Sequence, residues 1–401
     1  MPRALLLNLF AAALVAQPGP VIGPCPLFPA DHVLNTRVDH LPVAGDSATL
    51  INTIGAARNV HPDFGSGLWE GSPIGIPFLL VPGSQQRYPV TFHYAAESDP
   101  GPYPVPLNAP VEGGSDRHVI VVDRDNCKLY EMFDATPLSS SWKAGSGAVF
   151  DLRSNALRPQ TYTSADAAGL AILAGLVRYD EVLSGEIRHA IRFTAPQTRR
   201  EYLWPARHYA SNLTGSQYPP MGLRVRLKSN FDISGYSPLN QVILVAMKRY
   251  GMILADNGSP WYISGAPDQR WNNAELRQLR NLVGANFEVV DTSSLMIDPD
   301  SGQARQSGQV TVSVTPAAAT VRAGGTLPMR ASVSNHTYQG VTWSVNGIQG
   351  GTEAAGFIDT AGVYRAPVNP PARLRVTVTA TSIAVPSASG SASVTVARRS
   401  R

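Results

Sequence analysis

The sequence predicts a mostly β fold with a few helices: a large α+β, sandwich-like domain followed by a smaller β-sandwich. Three observations carry this expectation. Charged residues make up only 15% of the chain while Gly (35) and Pro (33) are abundant, a balance that suits turn-rich β proteins better than helical ones. Runs of apolar residues at a period of two recur along the chain. At residues 297–308, IDPDSGQARQSG, the composition breaks; beyond it charge nearly vanishes and Val and Thr dominate. The expected organisation is a signal peptide over 1–16, a main β-rich domain over 17–296, a polar linker over 297–309 and a second domain over 310–398.

Met1–Ala16 reads as a secretory signal peptide, with Arg3 as the charged start and Leu5–Val15 as the apolar core. That core is too short to cross about 30 Å of hydrocarbon. No later stretch is long and apolar enough to do so, and the expected location is secreted or extracytoplasmic. Export makes a disulfide between the two cysteines, Cys25 and Cys127, the expected outcome. The net charge of +4 is small for the length and no Lys/Arg block is present, so a nucleic-acid partner is not expected.

In chain order, Asp31–Ile54 predicts short strands and loops. His61–Gly65 and Gly67–Gly71 read as loops because Pro and Gly break both regular periods. Ile74–Val81 and Tyr88–Tyr94 read as strands. His118–Asp123, HVIVVD, is a near-continuous β-branched run, hence a strand buried on both faces. With Lys128–Phe133 it should form a hairpin around Asp125-Asn126. Ala148–Leu152 is another short strand.

Ser164-Ala165-Asp166 offers a helix cap, and Leu170, Leu173, Leu176 and Val177 suit one helical face, weakened by Gly169 and Gly175. The helix should stop at Ser184-Gly185. Glu186–Thr194 then alternates cleanly, with Ile187, His189, Ile191 and Phe193 on the inward face. Tyr202–His208 and Gly222–Lys228 continue the β pattern. Leu239–Tyr250 is the strongest helix signal, with Pro238 at its start and Gly251 at its stop. Met252–Ala255 predicts a strand, Glu275–Leu282 a second short helix and Phe287–Val290 a last strand.

From Val310 strands come at fairly even spacing, with Trp343 as the expected core anchor. The segments VTWSVNG, GFIDTAGVYRAP, VTVTATS and SASVTV resemble the bacterial Ig-like domains appended to exported proteins. The resemblance covers about a quarter of the chain and implies a spacer or binding accessory. In the main domain, TSADAAGLAILAGLVRYDEVLSGEIRHAIRFT, WPARH and MKRYGMILADNG are similar to a widespread set of exported bacterial proteins without a settled reaction. That resemblance implies export and a common fold and assigns no catalytic residue.

The densest chemistry is Asp180, Glu181, Glu186 and His189, at a helix-to-strand corner. Carboxylates in different environments can divide acid and base roles, and glycosidases need such a pair across the scissile bond. The corner is expected to bring these acids and an imidazole around one hollow. Asp166 and His208 join them as candidate catalytic residues. The competing reading makes Asp180 and Glu181 solvent-facing residues or partners of Arg178 and Arg188, and His189 a hydrogen-bonded core residue. Trp69, Trp204 and Trp261, with Asp256 and Asn257, are candidate substrate-binding residues, because indole faces stack on sugars.

No HExxH, CxxC pair, G-x-S-x-G, P-loop or dinucleotide fingerprint is present, so no metal and no cofactor is expected. Two functions from different classes stay open. One is an exported polysaccharide-active enzyme, a hydrolase or lyase. The other is a non-catalytic glycan-binding, surface or matrix protein. Either takes a polysaccharide or cell-surface glycan as partner; the oligomeric state is not set by the sequence.

Overall fold

The structure, a computed structural model, describes residues 19–305, 310–334, 338–371, 374–386 and 388–398. The expected signal peptide lies outside the described residues. The chain divides into two compact units, residues 1–305 and 306–401. Strand accounts for 35% of residues and helix for 14%, so the protein is mostly β with few helices.

Two larger sheets form the frame of the first unit, beside three smaller ones among the described residues. A four-stranded sheet runs Ser146–Asp151, Lys128–Phe133, Val119–Asp123, Phe78–Val81. A six-stranded mixed sheet runs Phe287–Val289, Arg224–Leu227, Met252–Asn257, Ile191–Ala195, Tyr262–Ser264, His61–Asp63. Ile120, Val122 and Leu129 from the first sheet and Phe193, Val225 and Leu254 from the second belong to one continuous core. The alternate residues Val119, Val121 and Met132 enter a separate cluster with Trp142 and Tyr103. The HVIVVD strand is thus buried on both faces, which is why its sequence carries no polar alternation.

That strand pairs antiparallel with Lys128–Phe133, Asp123 opposite Lys128. Asp123 closes the turn by accepting from the backbone N–H groups of Asp125 and Asn126. Cys127, just past the turn, is bonded to Cys25. The bridge spans 102 residues, and a loop of that size stabilises by about 4–5 kcal/mol through lost chain entropy. The helix Pro238–Arg249 forms with Ser237 as its cap and Pro238 in its first turn, burying Ile243, Leu244 and Met247.

The structure departs from expectation at several places. Residues 166–177 form no long helix; a single 3-10 turn, Leu173–Gly175, precedes the short helix Tyr179–Ser184. The reason is burial on every side: residues 168–178 are all enclosed, so their apolar spacing has no amphipathic meaning. Gly169 adopts φ +70°, and a Cβ on Gly175 would fall 3.1 Å from the Arg192 backbone nitrogen. The freed backbone N–H groups of Ile172 and Leu173 donate to Glu131 instead, at 3.0 and 2.9 Å. Within Asp31–Ile54, Ser47–Ile54 is a helix, set by Leu50, Ile51 and Ile54 on one buried stripe. His61–Asp63 is an edge strand, whereas Tyr202–His208 contributes only an isolated bridge, Tyr202 to Met221.

Much of the polar stretch read as a linker is held in the first unit. Gln303 pairs with His32, Ser301 with Ala156 and Met296 with Ala304. Asp300 accepts from Arg207 at 2.6 Å.

In the second unit, one sheet runs Ala318–Arg322, Ser389–Ala397, Leu374–Ser382, Val341–Val345, Ile348–Gln349, and another runs Thr326–Pro328, Val363–Arg365, Gly356–Ile358, Gly351–Thr352. Trp343, Tyr364, Val345, Val376 and Val394 share its core. Tyr364 donates its buried hydroxyl to the Ala355 carbonyl at 2.6 Å.

Candidate active-site cleft

Four strands of the six-stranded sheet and one loop of the other sheet converge on a cavity of about 150 Å³. His61–Asp63 brings Asp63, Ile191–Ala195 brings Arg192 and Thr194, Met252–Asn257 brings Asp256 and Asn257, and Tyr262–Ser264 brings Tyr262 and Ser264. The loop before the HVIVVD strand adds Glu112, Asp116 and His118. A β-bulge between Phe193 and Thr194 shifts the register so that Thr194 stands opposite Asp256. Bulges re-aim side chains in this way.

Arg192 organises the floor. Its Nε and Nη2 donate to the two oxygens of Asp166, each at 2.8 Å, and Nη1 donates to Ser264 Oγ at 2.6 Å. Nη2 also reaches Asp256 Oδ2 at 3.3 Å. Asp166 is 1% exposed and fully committed to this fork. Asp256 keeps 22% of its side chain accessible in the cleft. Burial, reinforced by the neighbouring Asp166 carboxylate and only partly offset by Arg192, pushes the Asp256 carboxyl up to about 7. Asp63 is also raised, by burial and then by Glu112 and Asp116.

His118 is the second buried cation. Both ring nitrogens face acceptors: Nδ1 meets Glu112 Oε2 at 2.5 Å and Nε2 meets the Ala165 carbonyl at 3.0 Å. Burial opposes the charge, but the Glu112 carboxylate overrides it and holds His118 up at about 9. Glu112 is correspondingly lowered despite its own burial. The cleft therefore combines two fixed cations with carboxylates of unequal proton affinity.

The predicted residues fall in several places. Asp166, Asp256 and Asn257 meet at this cleft. The helix-to-strand corner does not form one hollow of acids. Glu181 is buried and holds Arg178 Nη2 at 2.9 Å and His189 Nε2 at 3.1 Å; His189 is 0% exposed and reaches no substrate. Burial works against the Glu181 charge, but His189 and Arg178 outweigh it and hold its carboxyl low. Asp180 is largely exposed beside Arg178, and Glu186 pairs elsewhere, with Arg188 and Arg249. Helix geometry puts Glu181 inward at its first turn, while Gly185, at φ +90°, turns the chain before Glu186.

His208 hydrogen-bonds the Ala167 carbonyl at 2.8 Å and stacks on Tyr209, outside the residues lining the cleft. Trp261 is fully buried between Phe193 and Phe287, so its indole is core and not a lip. Trp204 is half-buried and donates to the Ser301 carbonyl. Trp69 alone of the three is well exposed, at 57%. It sits on a two-residue strand against Gly113 and Gly114, in the loop that supplies Glu112 and Asp116.

Glu112, His118, Arg192 and Ser264 escaped the sequence reading. Arg192 carried a signal: a cation amid an otherwise apolar run, IRFTA, where the outward face turns out to be buried. His118 stands just before the fully buried strand Val119–Asp123. Among the described residues no group of three or more His, Cys, Asp or Glu is arranged to hold a metal ion, and no helix is long and apolar enough to cross a membrane.

Comparison with protein-family models and with curated proteins gives no match to this chain.

Proposed function

We propose that the Asp256 cleft is the active site of an exported polysaccharide-active enzyme, a hydrolase or lyase, in which Asp256 is the general acid. The observation that carries this reading is the Asp256 carboxyl raised to about 7 while remaining accessible in a polar cleft. A carboxyl near neutrality can hold a proton for a leaving oxygen at working pH. Arg192, anchored by Asp166 and Ser264, fixes the position of that acid. Asp63, from the edge strand of the same sheet, is the carboxylate that serves as base. Thr194, Asn257, Ser259 and Tyr262 offer hydroxyl and amide partners for sugar hydroxyls, and Trp69 offers a stacking face beside the Glu112–Asp116 loop.

The Cys25–Cys127 bridge supports an oxidising, extracytoplasmic setting, as do the N-terminal signal pattern and the likeness of the second unit's sequence to Ig-like accessory domains. The test is Asp256→Asn, which keeps shape but holds no transferable proton. Reducing-end or unsaturated-uronate release from a polysaccharide panel should fall by about 100-fold or more, with oligosaccharide binding retained. The pH–rate profile should decline above about 7, where Asp256 ionises. Wild-type turnover in Asp256→Asn would remove this assignment. The exposed Trp69 favours the second reading, a non-catalytic glycan binder; on that reading no product forms and Trp69→Ala alone releases the protein from insoluble glycan.

A further inference from the structure

A second hollow, of about 560 Å³, adjoins the acidic cleft. The two share Ser259 and Tyr262 in their linings. They also share a strand, since His61 faces one and Asp63 the other. The chemistry of the second hollow is opposite in sign. Arg58 and Arg280 line it, with Asn59 and His61, and no Asp or Glu is among its lining residues. Among the described residues no carboxylate reaches salt-bridge distance of either guanidinium.

Both arginines are placed, not merely exposed. A Cβ at Gly55 would lie 2.5 Å from Arg58 Cγ, so the Arg58 stem is laid over a glycine, at φ +124°, that ends the helix Ser47–Ile54. Arg280 Nη2 donates to His61 Nδ1 at 3.0 Å, and its carbonyl accepts from Asn59 Nδ2 at 2.7 Å. The His61 ring lies flat on Tyr262, centroids 4.1 Å apart and planes 15° apart. His61 thus accepts from Arg280 and stays neutral, so the positive charge of the hollow comes from the two guanidiniums.

We infer that this hollow is an anion subsite for an acidic sugar, a uronate or sulfated residue of the polymer whose linkage lies at Asp256. The inference rests on the reading of the Asp256 cleft as a glycan site and adds the substrate class. Carboxylates line one hollow, and guanidiniums without a carboxylate partner line its neighbour. A neutral glycan can accept hydrogen bonds from the second group but leaves its two charges uncompensated. An acidic one places its negative charge there, away from Asp63, Glu112 and Asp116, and gains charge-assisted hydrogen bonds.

The experiment is calorimetric titration of the full chain with oligogalacturonate and with its carboxyl-reduced counterpart. A second pair, chondroitin sulfate oligosaccharide and its desulfated form, separates carboxylate from sulfate recognition. The acidic member of at least one pair should bind more tightly, with affinity falling as salt is raised. Arg58→Gln and Arg280→Gln should each erase about tenfold of that preference, while Arg270→Gln, an equal charge loss at the Asp268 surface pair, should leave it intact. Equal binding of acidic and neutral members in both pairs overturns the inference, whatever Asp256→Asn does to turnover. A charge preference that depends on Arg58 and Arg280 without any product formation upholds the subsite and overturns the catalytic reading instead.

Discussion

The two units of the chain solve burial in opposite ways. The second unit buries Val, Ala, Trp343 and Tyr364, and among its described residues Ser382 is the one buried polar side chain. Its strands alternate so regularly that Leu374–Ser382 reads inward and outward almost residue by residue. The first unit encloses His118, Glu131, Asp166, Arg178, Glu181, His189, Arg192, Arg207 and Arg224. Buried charge is costly unless paired, so a domain that holds this much of it is built around its polar contacts. Yet buried charge alone does not mark a site. Glu181 is spent on Arg178 Nη2 and His189 Nε2, in the interior, and Arg224 is spent on the carbonyl of Tyr250. What distinguishes the cleft is that fixed cations stand behind carboxylates that remain accessible.

The strongest way to sharpen this contrast is Arg192→Met. It leaves Asp166 buried without its bidentate partner, and loss of one member of such a pair destabilises by about 3–5 kcal/mol. Hydrogen exchange read peptide by peptide should show lost protection across residues 19–305 and unchanged protection across the second unit. If the first unit keeps its stability, the Arg192–Asp166 fork is not what orders the cleft.

Legibility divides along the same line. Where packing is one-sided or purely apolar, local pattern reports it: HVIVVD and KLYEMF form their hairpin, Pro238–Arg249 forms its helix, and the Val-rich strands after residue 310 appear close to where alternation puts them. The segment 166–177 misled because it is enclosed on all sides, so spacing there reflects general burial. The cleft was half legible. Asp166, Asp256 and Asn257 stood out beside Gly and Ser turns, but Asp63 and Arg192 come from strands, and Glu112 and His118 from a loop, that only the tertiary fold brings together. The Asp180–His189 corner showed the converse fault, since proximity in sequence put Glu181 and Glu186 on different partners.

A second, smaller effect separates the units by pH. His118 is held at about 9 in the folded chain against an ordinary 6.5, so its stabilising contribution is complete below about 6.5 and is lost as pH rises through 9. That displacement corresponds to about 3 kcal/mol. Glu131, pushed up to about 7 chiefly by burial, acts with the same sign, its contribution fading as pH rises through 7. In the second unit Tyr364 is displaced, up to about 12, beyond this window. Calorimetry at pH 7 and 9.5 should therefore show the first unit's transition fall and the second's hold, and His118→Gln should flatten the difference. Parallel losses in both units would break the comparison.

The smallest effect tests the comparison inside the first unit. Glu186 and Glu181 lie five positions apart, yet only Glu181 is enclosed, with Arg178 and His189 depending on it. Glu186 has about a third of its side chain exposed and shares its charge between Arg188 and Arg249 at 2.8 and 3.5 Å. Pairs of this kind, screened by water, contribute about 0–1 kcal/mol. Glu186→Gln should accordingly shift the urea midpoint of the first unit by little and leave glycan binding and turnover as they were. A large loss of turnover in Glu186→Gln would move the chemistry back to the helix-to-strand corner and away from Asp256, because Arg188 and Arg249, the partners of Glu186, do not line the cleft that Arg192 organises.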